Sequence, residues 1–295
     1  MKATKKILII GGNGYIGGNL RRLLIEQGHD VYYTTTSKHS YGNKILFLDI
    51  LKPGNGLENL KSFINLVADG IDAVYVMAWP FLDKYCDSRH LELVLPSMKQ
   101  LHDTLKNECR VKSIVYAGTC YEYGLMSGPL AETLKCSPVS EYARAKLELC
   151  QYVLPVIADE SEPSVKWLRI FYPFGLNQRG SSLLPSLKRA LEHRQPVFKM
   201  SKGDQVRDFI RIERLLELFI ELGLGDGIAS GIYNCGSGIP VRLISFVKSF
   251  IKRFQQGHGY GIELDNNAYP YRSDEPFSFW ANMNKTNKAI RNARL

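Results

Sequence analysis

The segment Lys6-Ile7-Leu8-Ile9-Ile10 runs straight into Gly11-Gly12-Asn13-Gly14-Tyr15-Ile16-Gly17, and no other stretch limits the fold so tightly. A short apolar run, spaced glycines and an amphipathic stretch together predict a strand, a tight turn and a helix. Glycines at 11, 14 and 17 permit the turn, close approach of a pyrophosphate and close packing of the helix. The first turn of that helix offers unpaired N–H groups and partial positive charge. Gly11, Gly14, Tyr15, Ile16 and Gly17 are therefore candidate phosphate-binding positions. The spacing is G-x-x-G-x-x-G, and a plain glycine-rich turn is the bland alternative.

The same alternation continues through the first half of the chain. Strands are predicted over 30–34, 45–48, 73–77, 113–117 and 165–170, with helices over 15–27, 57–69, 90–107 and 139–158. Pro96 and Pro155 are expected to kink or break their helices. Six strands in this rhythm imply an α/β fold, a Rossmann-type doubly wound parallel sheet whose ligands bind beyond the carboxyl ends of the strands. After Phe171 the rhythm loosens, with helices expected over 183–193, 215–222 and 243–255. The expectation is an NAD(P)-binding domain over 1–171 and a smaller mixed α/β substrate-binding lobe over 172–295, with segments interleaved.

Composition narrows the function. In 295 residues, 45% hydrophobic content supplies a sizeable core. No apolar run reaches bilayer length and the start lacks a signal-peptide pattern, so a cytoplasmic protein without membrane contact is expected. The six cysteines are scattered without a C-x-x-C pair, which predicts free thiols and no metal site. With 38 basic against 29 acidic residues, the formal charge of +9 favours anionic partners. Lys and Arg are spread along the chain instead of packed into a tract, so a phosphorylated small ligand is expected and nucleic acid is not.

After the second strand, where an acidic residue would receive the adenosine ribose of NAD, the chain reads Tyr33-Thr34-Thr35-Thr36-Ser37-Lys38. Thr36, Ser37 and Lys38 suit a 2′-phosphate, which points to NADP with NAD possible; the alternative is a solvated turn. Asp49, next to Ile50 after the third strand, is placed either to bond the adenine amino group or to cap the following loop.

Tyr142 and Lys146 stand four apart on one helical face, in a helix expected to open with Ser137 as cap and Pro138 in the first turn. A phenol, with an ordinary pKa of about 10, is a poor acid–base group at neutral pH. A nearby ammonium stabilises phenolate and is expected to lower that value. One element upstream, a strand ends at Thr119, whose hydroxyl can donate to a carbonyl oxygen becoming an alkoxide. Thr119, Tyr142 and Lys146 are the candidate catalytic set, against the bland reading of a surface tyrosine beside a solvated lysine.

With these residues in place, the chain resembles the extended short-chain dehydrogenase/reductases, the NAD-dependent epimerase/dehydratase family, over essentially its full length. The resemblance implies that Ala78 and Trp79 line the cofactor after the fourth strand, and that Tyr172 and Pro173 touch the nicotinamide. It assigns Ser182 and Leu183 to nucleotide recognition. Gly203-Asp204-Gln205-Val206-Arg207-Asp208-Phe209-Ile210 looks like the family's G-x-x-x-R-D-F-I signature, so Arg207 and the later Arg272 correspond to arginines that clasp a diphosphate. Within the family, Gly118-Thr119-Cys120-Tyr121-Glu122-Tyr123 is similar to reductases of nucleotide-linked 4-keto-6-deoxy sugars, such as the CDP-abequose and CDP-paratose synthases and dTDP-4-keto-6-deoxyglucose reductases. Sugar 4,6-dehydratases carry Asp-Glu where this chain has Cys120 and Tyr121, so these two are expected to face substrate without eliminating water.

The implied partner is a nucleoside-diphosphate sugar, and the implied assembly a homodimer through the helix bearing Tyr142 and the one over 90–107. The implied reaction is NADPH-dependent reduction of a 4-keto group with Tyr142 as proton donor. An NAD-dependent 4-epimerase is the runner-up, and an NADP-binding regulator without turnover is the reading from another class.

Overall fold

The computed structural model describes residues 3–37, 42, 44–52, 54, 56–154, 163–178, 182–271 and 275–293. The predicted first unit forms as strand β1 (Lys6–Ile10), the glycine turn and helix α1 (Tyr15–Glu26). It is followed by β2 (Asp30–Thr35), β3 (Ile45–Phe47), α2 (Gly56–Leu66) and β4 (Ala73–Val76). A helical rod from His90 to Glu108 comes next, with α3 (Leu95–Asp103) at its centre and a wide π turn at each end. Then come β5 (Ser113–Thr119), a 3-10 turn (Cys120–Tyr123), β6 (Gly128–Leu130), α4 (Glu141–Val153) and β7 (Ser164–Ile170).

The second half contributes β8 (Tyr172–Phe174), α5 (Leu183–Glu192), β9 (Val197–Ser201), β10 (Val206–Arg211), α6 (Ile212–Leu224) and β11 (Gly231–Cys235). It ends with β12 (Pro240–Arg242), α7 (Leu243–His258), β13 (Glu263–Tyr269), β14 (Phe279–Ala281) and α8 (Asn284–Ala293). Seven strands form one parallel sheet in the order β11-β7-β5-β4-β1-β2-β3. This is the expected doubly wound sheet with one strand more than predicted, since β11 crosses back from the second half and pairs with β7.

Both faces of the sheet are covered, which is why its strands read as continuous apolar runs. Leu8, Ile10, Val74, Val76, Ile114 and Tyr116 point to one face and pack under α2, α3 and α4. Ile7, Ile9, Ala73, Tyr75 and Val115 point to the other and meet residues of α1, α6 and α8. The sheet order reverses between β1 and β4, the topological switch point beyond whose carboxyl ends ligands of such sheets bind. Beyond that end stand a three-stranded sheet, β12-β10-β8, and two strand pairs, β9 with β13 and β6 with β14.

Two local expectations need correction. Pro96 does not break its helix: it sits in the first turn of α3 directly after the π turn His90–Val94, which widens the winding where proline supplies no N–H. Pro155 lies outside the described residues. Helix α4 starts at Glu141 with Ser140 as its cap, Ser140 Oγ accepting from the Ala143 N–H at 3.3 Å. Ser137 instead lays its carbonyl against Gly124, where an added Cβ would come within 1.9 Å of it. The Ser-Pro pair therefore crosses the turn after β5 before the helix begins.

Candidate active site

The cofactor cradle is built first by the glycine turn. Gly11 has φ of +89°, and a Cβ there would lie 2.7 Å from the Ala78 nitrogen after β4. A Cβ on Gly17 would lie 2.4 Å from the Gly11 carbonyl oxygen. Both positions demand glycine, and they set Ala78 against the turn. Gly14 caps α1 without a side-chain bond, so the N–H groups of Tyr15, Ile16 and Gly17 remain for a phosphate.

At the end of β2, Gly11 N–H donates to Thr34 Oγ1 (3.1 Å), while Asn13 Nδ2 and the Ser37 N–H donate to Thr35 Oγ1 (2.9 and 3.1 Å). Thr36 and Ser37 are exposed there, and Lys38 lies outside the described residues. The carboxylate of Asp49 accepts from the Leu51 N–H at 3.0 Å, a local turn that leaves its other oxygen for a ligand; Ile50 is buried. Sequence reasoning missed Arg21, which donates to Asn13 Oδ1 at 2.9 Å and lies 4.1 Å over the Tyr33 ring. A lone arginine in the second turn of a helix carries no sequence signal.

The three candidate catalytic residues meet at the carboxyl end of β5. Thr119 ends the strand and caps the 3-10 turn: Oγ1 accepts from the Tyr121 N–H at 3.3 Å, and Glu122 Oε1 accepts from the Thr119 N–H at 2.8 Å. Glu122 is wholly buried, and also accepts from Trp167 Nε1 at 2.9 Å and Arg169 Nε at 2.7 Å. A buried carboxylate is tolerable when its lone pairs are matched in this way. It fixes the backbone that carries the Thr119 hydroxyl. Glu122 stood in plain view in the sequence, but its partners come from β7, 45 and 47 residues further on.

Tyr142 and Lys146 lie one turn apart on the inward face of α4, both buried. The Tyr142 ring stacks on Tyr85 at 5.0 Å between centroids and meets the edge of Trp79 at 5.9 Å. The Tyr142 N–H donates to the Tyr85 carbonyl at 2.9 Å, and Lys146 Nζ donates to the Ala117 carbonyl of β5 at 2.7 Å.

The electrostatics differ from the sequence expectation. Burial pushes the Tyr142 phenol well above its usual value, with neighbouring Tyr85 adding to the rise and a hydrogen bond with Thr119 opposing it. Lys146 is not among the causes. Its own amine is pushed down to about 7 by burial, opposed by the Glu122 charge. Desolvation in the closed aromatic surroundings thus outweighs the ammonium–phenol attraction that spacing alone suggests. Tyr142 is held as the neutral phenol, the form that gives a proton.

Beside this cluster, the Tyr121 hydroxyl meets that of Tyr172 at 3.1 Å and donates to Glu275 Oε1 at 3.4 Å, while Cys120 is buried beneath. Arg207 Nη2 donates to Glu275 Oε2 at 3.1 Å, and its Nη1 donates to the carbonyls of Val206 and Phe277 at 3.0 Å. Glu275 thereby joins Arg207 to Tyr121 and Tyr172. Next to Arg207, the buried Asp208 carboxylate accepts from Ser237 N–H and Oγ, the Gly238 N–H and the Ala281 N–H at 2.6–3.0 Å. The Arg-Asp pair of the signature therefore has an architectural half that knots β10 to the turn between β11 and β12 and to β14. Pro173 lies in β8, paired to Ile210 of β10. Ser182 immediately precedes α5, and Leu183 packs with the cluster of α5 and α7, apart from the Tyr121 group. Arg272 lies outside the described residues.

The model of the NAD dependent epimerase/dehydratase family matches residues 7–236, which covers the glycine turn, Thr119, Tyr142, Lys146 and the Arg207-Asp208 pair. The chain belongs to that family. This epimerase/dehydratase family member is a nicotinamide-dependent enzyme. It is 30% identical over 279 residues to a dTDP-6-deoxy-L-talose 4-dehydrogenase (NAD(+)) of Aggregatibacter actinomycetemcomitans, covering 93% of this chain and 98% of the relative. It is also 24% identical over 330 residues to UDP-glucose 4-epimerase 3 of Oryza sativa subsp. japonica, covering 98% and 85%. Among solved structures, a UDP-glucose-4-epimerase from Stenotrophomonas maltophila with bound NAD and formylated UDP-arabinopyranose shares the fold with a TM-score of 0.81 at 20% identity, covering 97% of this chain and 92% of that one. No helix among the described residues is long and apolar enough to cross a membrane.

Proposed function

We propose that this enzyme reduces the 4-keto group of a nucleoside-diphosphate-4-keto-6-deoxyhexose to the alcohol, reversibly. The observation that carries the reading is the convergence of Thr119, Tyr142 and Lys146 at the carboxyl end of β5, on the same carboxyl edge of the sheet as the Gly11–Gly17 turn and one strand removed from it. The cradle residues suit a dinucleotide: open glycine positions, free helix N–H groups and Ala78 set against the turn. When bound, reduced nicotinamide supplies a hydride to C4. Tyr142, neutral through burial, gives its proton to the C4 oxygen. Thr119 donates a hydrogen bond to the same oxygen, and Glu122 keeps the Thr119 backbone in place. Lys146 holds the cofactor's ribose and supplies the positive charge that steadies the phenolate left behind.

Cys120 and Tyr121 stand where sugar dehydratases carry an acid pair, which supports simple carbonyl reduction over loss of water. The name of the Aggregatibacter relative, a 4-dehydrogenase of a dTDP-6-deoxyhexose, supports the same carbon and substrate class. Tyr121, Tyr172 and Arg207, joined through Glu275, are the proposed wall around the sugar diphosphate. Thr36, Ser37 and Arg21 at the end of β2 support NADP, although that relative is named for NAD(+). A homodimer through α3 and α4 and a cytoplasmic setting complete the proposal.

The similarity to the rice epimerase favours a second reading, 4-epimerisation with the same residues. One experiment separates the two. Incubation with NADPH or NADH and a dTDP- or CDP-4-keto-6-deoxyhexose gives stoichiometric loss of absorbance at 340 nm under the reductase reading. Interconversion of two hexoses with no net change in cofactor overturns it. Weaker binding of NADPH, but not NADH, in Arg21→Ala would support the 2′-phosphate assignment.

A further inference from the structure

Lys146 sits in closer aromatic company than its bond to Ala117 requires. Its Nζ lies 3.8 Å from the centre of the Trp79 ring and 5.9 Å from those of Tyr142 and Trp167. Among the described residues, no carboxylate lies within ion-pair distance of it. The indole is not loose. Its Nε1–H donates to His90 Nδ1 at 3.1 Å, and the far nitrogen of His90 bonds the Lys84 carbonyl at 2.9 Å. An acceptor at Nδ1 and a carbonyl at Nε2 together fix the tautomer with its proton on Nε2. Trp79 and His90 are both buried, and each also touches Tyr142, edge-on at 5.9 Å and tilted at 5.4 Å.

We propose that Trp79 and His90 are a positioning pair for Lys146, the indole face holding the ammonium in its charged form while His90 fixes the rotation of the indole. The inference rests on the reading above, in which a charged Lys146 serves Tyr142. An aromatic face attracts a cation most strongly where water is excluded, and indole is the best of the three rings. Here it supplies the attraction that a carboxylate would supply elsewhere, without offering a proton acceptor that competes with Tyr142. The titratable groups facing this spot are Tyr142 on α4, Tyr85 and His90 before α3, and Cys120 and Glu122 after β5, with Arg169 of β7 engaged by Glu122. Of these, Glu122 opposes the loss of the Lys146 proton, so the indole and Glu122 act in the same direction.

The test combines a pH profile with a readout that needs no turnover. In Trp79→Leu the charged amine loses its partner, so the basic limb of kcat/KM for reduction moves to lower pH by about one unit. Trp79→Phe keeps a ring face and moves the limb less. His90→Leu releases the indole and shifts the limb the same way. His90→Gln restores it, because an amide oxygen can accept from the indole while its NH2 donates to Lys84. Independently, the emission of Trp79, taken as wild type minus Trp79→Phe, follows a titration that Lys146→Met abolishes and His90→Gln keeps. An unmoved basic limb in a folded Trp79→Leu, or an emission titration that survives Lys146→Met, overturns the proposal. If no sugar nucleotide is turned over, the proposed reaction falls, and the emission arm still decides the contact.

Discussion

The two ends of the central sheet each bury a lysine, and only one of them stands among the candidate catalytic residues. Lys166 lies at the amino end of β7, 3% exposed, donating to Ser113 Oγ at 3.1 Å and Ser164 Oγ at 2.6 Å. Lys146 lies near the carboxyl end of β5, 4% exposed, donating to one carbonyl and facing an indole. Burial pushes both amines down, to about 8 and about 7. Desolvation alone therefore does not mark a site. The difference lies in the neighbours: Lys146 stands beside a phenol that can give a proton and a threonine that can donate to oxygen, at the carboxyl end of the sheet, which also carries the glycine turn. Lys166 has two hydroxyls already committed to it.

The sharpest break in that comparison comes from Tyr142. Tyr142→Phe keeps the ring stacked on Tyr85 and is expected to lower kcat by about 10²–10⁴-fold, with circular dichroism and melting temperature unchanged. Glu122→Gln comes next. It leaves Arg169 buried without its countercharge, and among the described residues Arg169 Nη1 already has no hydrogen-bond partner, so the loss of stability measured by urea unfolding should be about 3–5 kcal/mol. Thr119→Val removes one donor to the C4 oxygen and should lower kcat by about 10²-fold with little change in KM.

The smallest effect bears directly on the two lysines. Folding lowers each amine below its usual value near 10.5, so the folded state holds fewer protons than the unfolded one between the lowered value and 10.5. Stability therefore rises with pH across that window, and the cost of burying the charge is in full force below about 7 for Lys146 and about 8 for Lys166. Lys146→Met and Lys166→Met should both melt higher than wild type at pH 6, with the gain shrinking towards pH 10. Only the first should abolish turnover. Loss of activity in Lys166→Met would erase the distinction between the two ends.

How much of this was legible in the sequence follows from distance along the chain. The glycine turn, the strand ends and the four-residue spacing of Tyr142 and Lys146 are local patterns, and they appear where the periodicity puts them. Thr119 was legible because a strand end is a position. Glu122, Trp79 and His90 were not legible in their roles, because each depends on a partner brought in from another element. Their identities are ordinary and only their meeting is informative. The direction of the Tyr142 shift was misread for the same reason: spacing reports the adjacent lysine, but not the packing of Tyr85 and Trp79 that excludes water. The place of β11 in the sheet was not legible because it follows β10 and α6 in sequence and joins the sheet only through β7.

The central claim is that Tyr142 delivers a proton to the oxygen of the carbon that receives hydride. The most direct measurement supplies reduced cofactor deuterated at C4 of the nicotinamide, in the transferable position, with a 4-keto-6-deoxyhexose nucleotide. Product is then located by NMR in wild type and Tyr142→Phe. The account predicts deuterium at C4 of the sugar in wild type and almost none in the variant over the same time. Label at another carbon, or transfer in Tyr142→Phe at the wild-type rate, would contradict it.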